Sequence, residues 1–128
     1  MLQNIKGYNL DNKITLIFFY DNNDIFLIIM KNLEEICLEI DALISQLGGY
    51  WSEEWLIQPV IEELGEFSKE LQIKAGLHPL KHTSLEKIEE EFGDLLFAVL
   101  AMGRGLNINI EHALMTSIKK YDKRSKRE

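Results

Sequence analysis

Glu62-Glu63-Leu64-Gly65-Glu66-Phe67 and Glu90-Glu91-Phe92-Gly93-Asp94-Leu95 are one six-residue pattern written twice: acid, acid, large apolar, glycine, acid, large apolar. Residues three apart share a face of an α-helix, so Glu63 sits over Glu66 and Glu91 over Asp94. Like charges at that spacing weaken a helix slightly, so a doubled pair calls for either a solvated acidic face or a cation. The residues after the second copy bear on that choice. Residues 95–102, Leu-Leu-Phe-Ala-Val-Leu-Ala-Met, are apolar around the whole helical circumference, which predicts burial on most sides. Glu91 and Asp94 would then enter the interior, with no basic residue following on that helix before Arg104. A buried, unpaired carboxylate costs several kcal/mol or takes up a proton, and a divalent cation offsets that cost. Gly65 and Gly93 hold equivalent mid-helix positions, which predicts close backbone approach where the two helices cross. In an antiparallel crossing the two acid pairs would face each other.

Outward from this pattern, the chain from Asn32 reads as four helices. Asn32 with Glu35 has capping-box spacing, and Leu33, Ile36, Cys37, Ile40, Leu43, Ile44 and Leu47 form one apolar stripe that Gly48-Gly49 ends. Ser52 is a candidate cap for the second helix, where Pro59 requires a kink or a fresh start. That helix carries Val60, Leu64, Phe67 and Leu71 on one side, with Glu63, Glu66 and Glu70 opposite, and runs to about Ala75. Thr83 with Glu86 is a capping-box spacing for a third helix ending near Arg104, and Asn109 caps a fourth over residues 110–124. Short connections between four helices predict an all-α four-helix bundle. Residues 1–30 differ: β-branched and aromatic runs flank Asp21-Asn22-Asn23-Asp24, a β-hairpin pattern. They read as an N-terminal extension that need not belong to the native fold, with Met30 an alternative start and residues 31–128 the domain proper.

Composition narrows the function classes. A chain of 128 residues with 46% hydrophobic and 27% charged residues predicts one soluble domain. The net charge of −7 argues against a partner of polymeric nucleic acid, although residues 119–128 hold six of the 14 basic residues. The single Cys37 cannot pair within the chain, no apolar run reaches membrane-spanning length, and no secretory signal stands at the start. A cytoplasmic location without membrane association is the expectation.

Histidine separates the metal chemistries. Di-iron bundles use Glu-x-x-His, and none occurs here; His78, His82 and His112 are isolated. All-oxygen ligation favours Mg²⁺, with Mn²⁺ as a substitute, over iron or zinc, and the loop spacing of a calcium site is missing. Lys120 and Arg124, four apart on one helical face, could neutralise phosphates or form a solvated basic tail. Trp51 and Trp55 could stack on a base or pack in a core or subunit contact.

The acids of both copies resemble the E-E-x-x-E … E-x-x-D signature of the MazG-like all-α nucleotide pyrophosphohydrolases. The likeness extends to Tyr50-Trp51, to Gly93-Asp94-Leu95-Leu96-Phe97, to residues 106–114 and to Lys119-Lys120-Tyr121-Asp122-Lys123-Arg124, covering residues 33–124. The resemblance implies Mg²⁺-dependent cleavage of a nucleoside triphosphate to the monophosphate and pyrophosphate, as nucleotide-pool house-cleaning. Carried over by position, Glu63, Glu66, Glu91 and Asp94 match metal ligands, and Glu62 matches the further acid, a candidate for orienting or deprotonating water. Lys120 and Arg124 match a phosphate-binding basic pair. Similar proteins are homodimers or homotetramers. Phosphoribosyl-ATP pyrophosphohydrolase activity and a catalytically silent helical interaction protein are the alternatives.

Overall fold

The computed structural model describes the backbone of residues 5–10, 14–21 and 24–126 and the side chains of residues 31–126. The chain divides into two compact units, Met1–Leu38 and Glu39–Glu128. In the first, β1 (Ile5–Leu10), β2 (Ile14–Asp21) and β3 (Asp24–Met30) form an antiparallel sheet in chain order. The predicted hairpin is β2 with β3, paired from Asp21↔Asp24 to Thr15↔Met30, and β1 adds a strand to it. Its turn residues, Asn22-Asn23, lie outside the described residues.

Four helices follow: α1 (Leu33–Gln46), α2 (Gln58–Lys74), α3 (Leu85–Gly105) and α4 (Ile110–Ser125). The all-α four-helix reading therefore holds for the part of the chain that carries the acids. The box at the start of α1 is reciprocal, with Asn32 Oδ1 accepting from the Glu35 N–H and Glu35 Oε2 from the Asn32 N–H, both at 2.9 Å. Gly48 and Gly49 end α1 with φ of 107° and 92°, a backbone that side chains resist, and they turn the chain back along the helix. Ser52 heads only a short 3₁₀ turn, Glu53–Trp55, and makes no capping bond. Pro59 sits in the first turn of α2, where its missing N–H costs nothing, so the chain makes the fresh start its proline requires. Asn109 caps α4 by accepting from the His112 N–H at 2.9 Å.

The cap of α3 corrects the sequence reading by one residue. Ser84, not Thr83, accepts from the Lys87 N–H at 3.1 Å. Thr83 instead donates its hydroxyl to Glu70 at 2.5 Å. That bond satisfies a carboxylate only 8% exposed and ties the α2–α3 loop to α2.

α2 and α3 pack along their lengths. Phe67 meets Phe92 with ring centroids 5.6 Å apart, and Glu70 near the end of α2 meets Thr83 just before α3, so the helices run antiparallel. The face of α2 in this seam is not the predicted leucine side: Leu64 and Leu71 are exposed, whereas Glu70 and Ile73 are buried. Glu63, Phe67 and Glu70 share that inward arc at helical spacing. The all-round burial predicted for residues 95–102 is not met within one chain. Ala98 is buried, but Leu96, Phe97 and Val99 are exposed. The glycine prediction fails too. A Cβ on Gly65 or Gly93 would meet no atom within 4 Å, while one on Gly105 would lie 2.8 Å from Leu56 Cδ1 and 3.1 Å from Tyr50 Cδ1. Close approach occurs at the end of α3, where the segment after α1 packs, and not where α2 meets α3. Among the described residues, no helix is long and apolar enough to cross a membrane.

Candidate metal centre

The antiparallel seam brings one turn of α2 against one turn of α3. Glu63, Glu91 and Asp94 each offer a carboxylate oxygen there, and these three atoms lie within 4.8 Å of one another. Glu91 is 8% exposed and Glu63 half-buried, while Asp94 is exposed, so the predicted burial holds for Glu91 and not for Asp94. The crowding shows in acidity. Partial burial raises the Glu63 pKa from its ordinary value, and the charges of Asp94, Glu62, Glu91 and Glu66 push the same way.

Three hard oxygen donors converging on one point suit a small divalent cation. Two oxygens on one Mg²⁺, at ~2.1 Å each, can lie at most about 4.2 Å apart, so the three carboxylates would draw slightly closer to share one ion. Glu66 stands outside the converged group, its carboxylate 3.3 Å from Lys69 Nζ on the same helix. Its charge still reaches Glu63. Glu62 is exposed beside the group.

The expectation of an unpaired Glu91 is wrong. Lys87, one turn earlier on α3, places Nζ 2.8 Å from Glu91 Oε1 and 3.1 Å from Glu90 Oε2. Hydrogen bonds to Glu91 and then Glu90 hold the lysine well above its ordinary pKa. Its signal in the sequence is the i, i+4 spacing from Lys87 to Glu91, one turn upstream of the acids. One lysine does not balance three clustered carboxylates, so the pairing leaves room for a cation.

Beside the carboxylates lies a cavity of about 510 Å³. Ile44 of α1 and Leu47 just past its end form one wall, Phe97, Ala98, Ala101 and Met102 of α3 another, and Gly49, Tyr50, Trp51 and Leu56 a third. Glu63 and Asp94 line it as well, so the acidic group and the apolar hollow are continuous. Trp51 is on the lining; Trp55, also exposed, is not. Behind the aromatic wall, Asp41 of α1 accepts from the Tyr50 hydroxyl at 2.6 Å and from Arg104 Nε at 3.0 Å, with Arg104 Nη2 also on the carboxylate. The Arg104 hydrogen bonds lower the Asp41 pKa against the opposing effect of burial, and the Tyr50 bond assists. The sequence marks none of these three as partners.

Lys120 and Arg124 stand on one face of α4, each over the ring of Tyr121, at 4.9 Å and 5.6 Å from its centre. With Thr116, Lys119 and Lys123 they line a separate basic hollow, and none of the three clustered acids is on its lining.

Known proteins are similar to this chain in sequence and in fold. YpjD of Bacillus subtilis is 35% identical over 98 residues, 75% of this chain and 88% of that protein. Its crystal structure superposes with a TM-score of 0.66 at 33% identity, covering 72% of this chain and 96% of that one. The crystal structure of a Bacillus-conserved MazG protein, a nucleotide pyrophosphohydrolase, gives a TM-score of 0.62 at 32% identity, over 72% of this chain and 90% of that one. The nucleoside triphosphate pyrophosphohydrolase/pyrophosphatase MazG of Thermotoga maritima is 36% identical over 83 residues, 65% of this chain; the match spans 28% of that longer enzyme. The profile of the MazG nucleotide pyrophosphohydrolase domain matches residues 51–127, from the turn before α2 to the basic end. With its paired acidic helices inside that match, the chain belongs to the MazG nucleotide pyrophosphohydrolase family.

Proposed function

We propose that residues 31–128 form a Mg²⁺-dependent enzyme that splits nucleoside triphosphates between the α- and β-phosphates, releasing the monophosphate and pyrophosphate. Its role would be to clear surplus or non-standard nucleotides. The observation that carries this reading is the convergence of Glu63, Glu91 and Asp94 at the rim of a cavity within the size range of small-molecule sites. These three would hold the cation, and Glu66 would be able to join them, since its contact with Lys69 lies between exposed groups and is weak. When bound, Mg²⁺, or Mn²⁺ in its place, polarises phosphoryl oxygens and acidifies a water. Glu62, exposed beside the group, would orient or deprotonate the attacking water. Lys120 and Arg124 neutralise the outer phosphates. Trp51 stacks on the base, a role supported by its place on the cavity wall; Trp55, off that lining, has the weaker case.

The working form is a homodimer or homotetramer. Apolar residues stand exposed along whole helical faces: Leu85, Phe92, Leu96 and Val99 on α3, and Leu114, Ile118 and Tyr121 on α4. Contiguous apolar surface of this kind marks a subunit contact. Cys37, buried and the single cysteine of the chain, supports a location in the reducing cytoplasm. Residues 1–30 are an extension outside this domain, supported by relatives that match about three-quarters of the chain.

Pyrophosphate release from a panel of ribo- and deoxynucleoside triphosphates and phosphoribosyl-ATP, with and without Mg²⁺, tests the reaction. Metal-dependent release that falls by roughly 10²-fold in Glu66→Gln and in Asp94→Asn is expected. Release from phosphoribosyl-ATP alone would reassign the substrate, and no release from any nucleotide would leave an interaction protein.

A further inference from the structure

Asp41, Tyr50 and Arg104 lie outside the acidic group, yet their network shapes the cavity beside it. Tyr50 contributes its ring to the lining and sends its hydroxyl backwards to Asp41 at 2.6 Å. The Gly48-Gly49 turn is what permits this, folding the chain so that Tyr50, nine positions after Asp41, returns to α1. Arg104 approaches the same carboxylate from the last turn of α3, through Nε at 3.0 and 3.2 Å and through Nη2. The ion pair is partly shielded, with Arg104 and Asp41 side chains 23% and 32% exposed. A forked guanidinium contact of this type fixes geometry as well as charge. Gly105, next to Arg104, makes the room: a Cβ there would press on Tyr50 and on Leu56, itself buried. One carboxylate therefore joins three walls of the cavity, namely α1, the turn that carries Tyr50 and Trp51, and the end of α3.

We propose that Asp41 is a positioning residue for substrate binding. Held by Arg104, it anchors the Tyr50 hydroxyl and so fixes the aromatic wall against which the nucleoside moiety packs. Tyr50 is the residue that meets the ligand; Asp41 and Arg104 act through it. The proposal rests on the pyrophosphohydrolase reading for its ligand. It differs from that reading in assigning affinity for the nucleoside, apart from the phosphates, to a network that touches neither metal nor phosphate. A carboxylate lost from such a network loosens a packed wall without moving Glu63, Glu91 or Asp94, so binding of the nucleoside weakens while binding of bare polyphosphate does not.

Calorimetry with two probes, each with Mg²⁺, separates these effects in the full chain. One is an α,β-imido deoxynucleoside triphosphate, which cannot be cleaved at the reacting bond; the other is inorganic tripolyphosphate, which has no nucleoside. Asp41→Asn should weaken imido-nucleotide binding about 10-fold and Tyr50→Phe about 3-fold, by the usual range for a lost charge-assisted or ordinary hydrogen bond. Tripolyphosphate binding should stay within 2-fold. Tyr50→Phe keeps the ring and serves if Asp41→Asn folds poorly. Equal weakening for both probes would make the network merely structural and overturn the proposal, as would imido-nucleotide affinity unchanged within 2-fold in both variants. Wild-type binding of the imido-nucleotide without hydrolysis of any triphosphate would sink the catalytic reading and leave the positioning role standing. Binding of neither probe by the wild-type chain would remove both.

Discussion

Single side chains divide into those whose role follows from type and spacing and those whose role depends on a distant partner. Glu63, Glu66, Glu91 and Asp94 belong to the first group as candidate ligands, since the acid spacing within each helix already singles them out. Asp41 belongs to the second. In the sequence it is one acid among 21, and only the fold shows it holding Arg104 and Tyr50. Its pKa is lowered, chiefly by the Arg104 hydrogen bonds, so the sign of its stability contribution is set. A carboxylate more acidic folded than unfolded stabilises fully above its unfolded pKa of about 3.9, and that contribution fades as pH falls through the folded value. Glu63 has a raised pKa and the opposite dependence, so it favours the metal-free fold on acidification, but it cancels in a comparison of two chains that both contain it. Wild type should thus melt above Asp41→Asn by a constant margin from pH 8 to about pH 5, and the margin should shrink towards zero below about pH 4. Thermal melts of both chains across that series check this. A margin that grew on acidification would contradict the assigned partner.

At the scale of elements, helix boundaries were legible wherever a cap and its partner lie within one turn. Asn32 with Glu35 and Asn109 with the His112 N–H were readable in this way. Thr83 misled because two hydroxyls stand side by side, and Glu70 on a neighbouring helix claims the first. The inward face of α2 misled for a related reason. Periodicity alone assigns leucines to a seam, and it cannot say that clustered acids occupy the seam while Leu64 and Leu71 face out. The glycines make this measurable. Gly93→Ala meets no atom and removes a poor helix former from a helix interior, so it should stabilise by about 0.5–1 kcal/mol. Gly105→Ala drives a methyl into Leu56 and Tyr50 and should destabilise by about 1–3 kcal/mol. Urea unfolding of the two variants should show these opposite signs.

For the whole molecule, the described residues of Glu39–Glu128 leave more large apolar side chains exposed than buried. Only Ile40, Leu56, Ile73 and Ala98 are buried apolar residues among the described part of Glu39–Glu128, while faces of α2, α3 and α4 display leucines, isoleucines and aromatics to solvent. That imbalance accounts for the failed burial prediction at residues 95–102, whose unburied side fits a second copy in the proposed assembly. Sedimentation at micromolar concentration should give a dimer or tetramer. Leu96→Glu, which places a charge on the exposed face of α3, should shift it towards the monomer. A wild-type monomer would count against the assembly. The sequence by itself determined the four helices, two of their caps, the two acidic turns and the family resemblance, because capping, periodicity and acid spacing act within one or two turns of a helix. Only the tertiary structure decided which carboxylates converge, that Lys87 pairs with one of them, and that Arg104 reaches Asp41 across 63 residues of chain. Those outcomes depend on how packed helices register against each other, and no local pattern encodes that register.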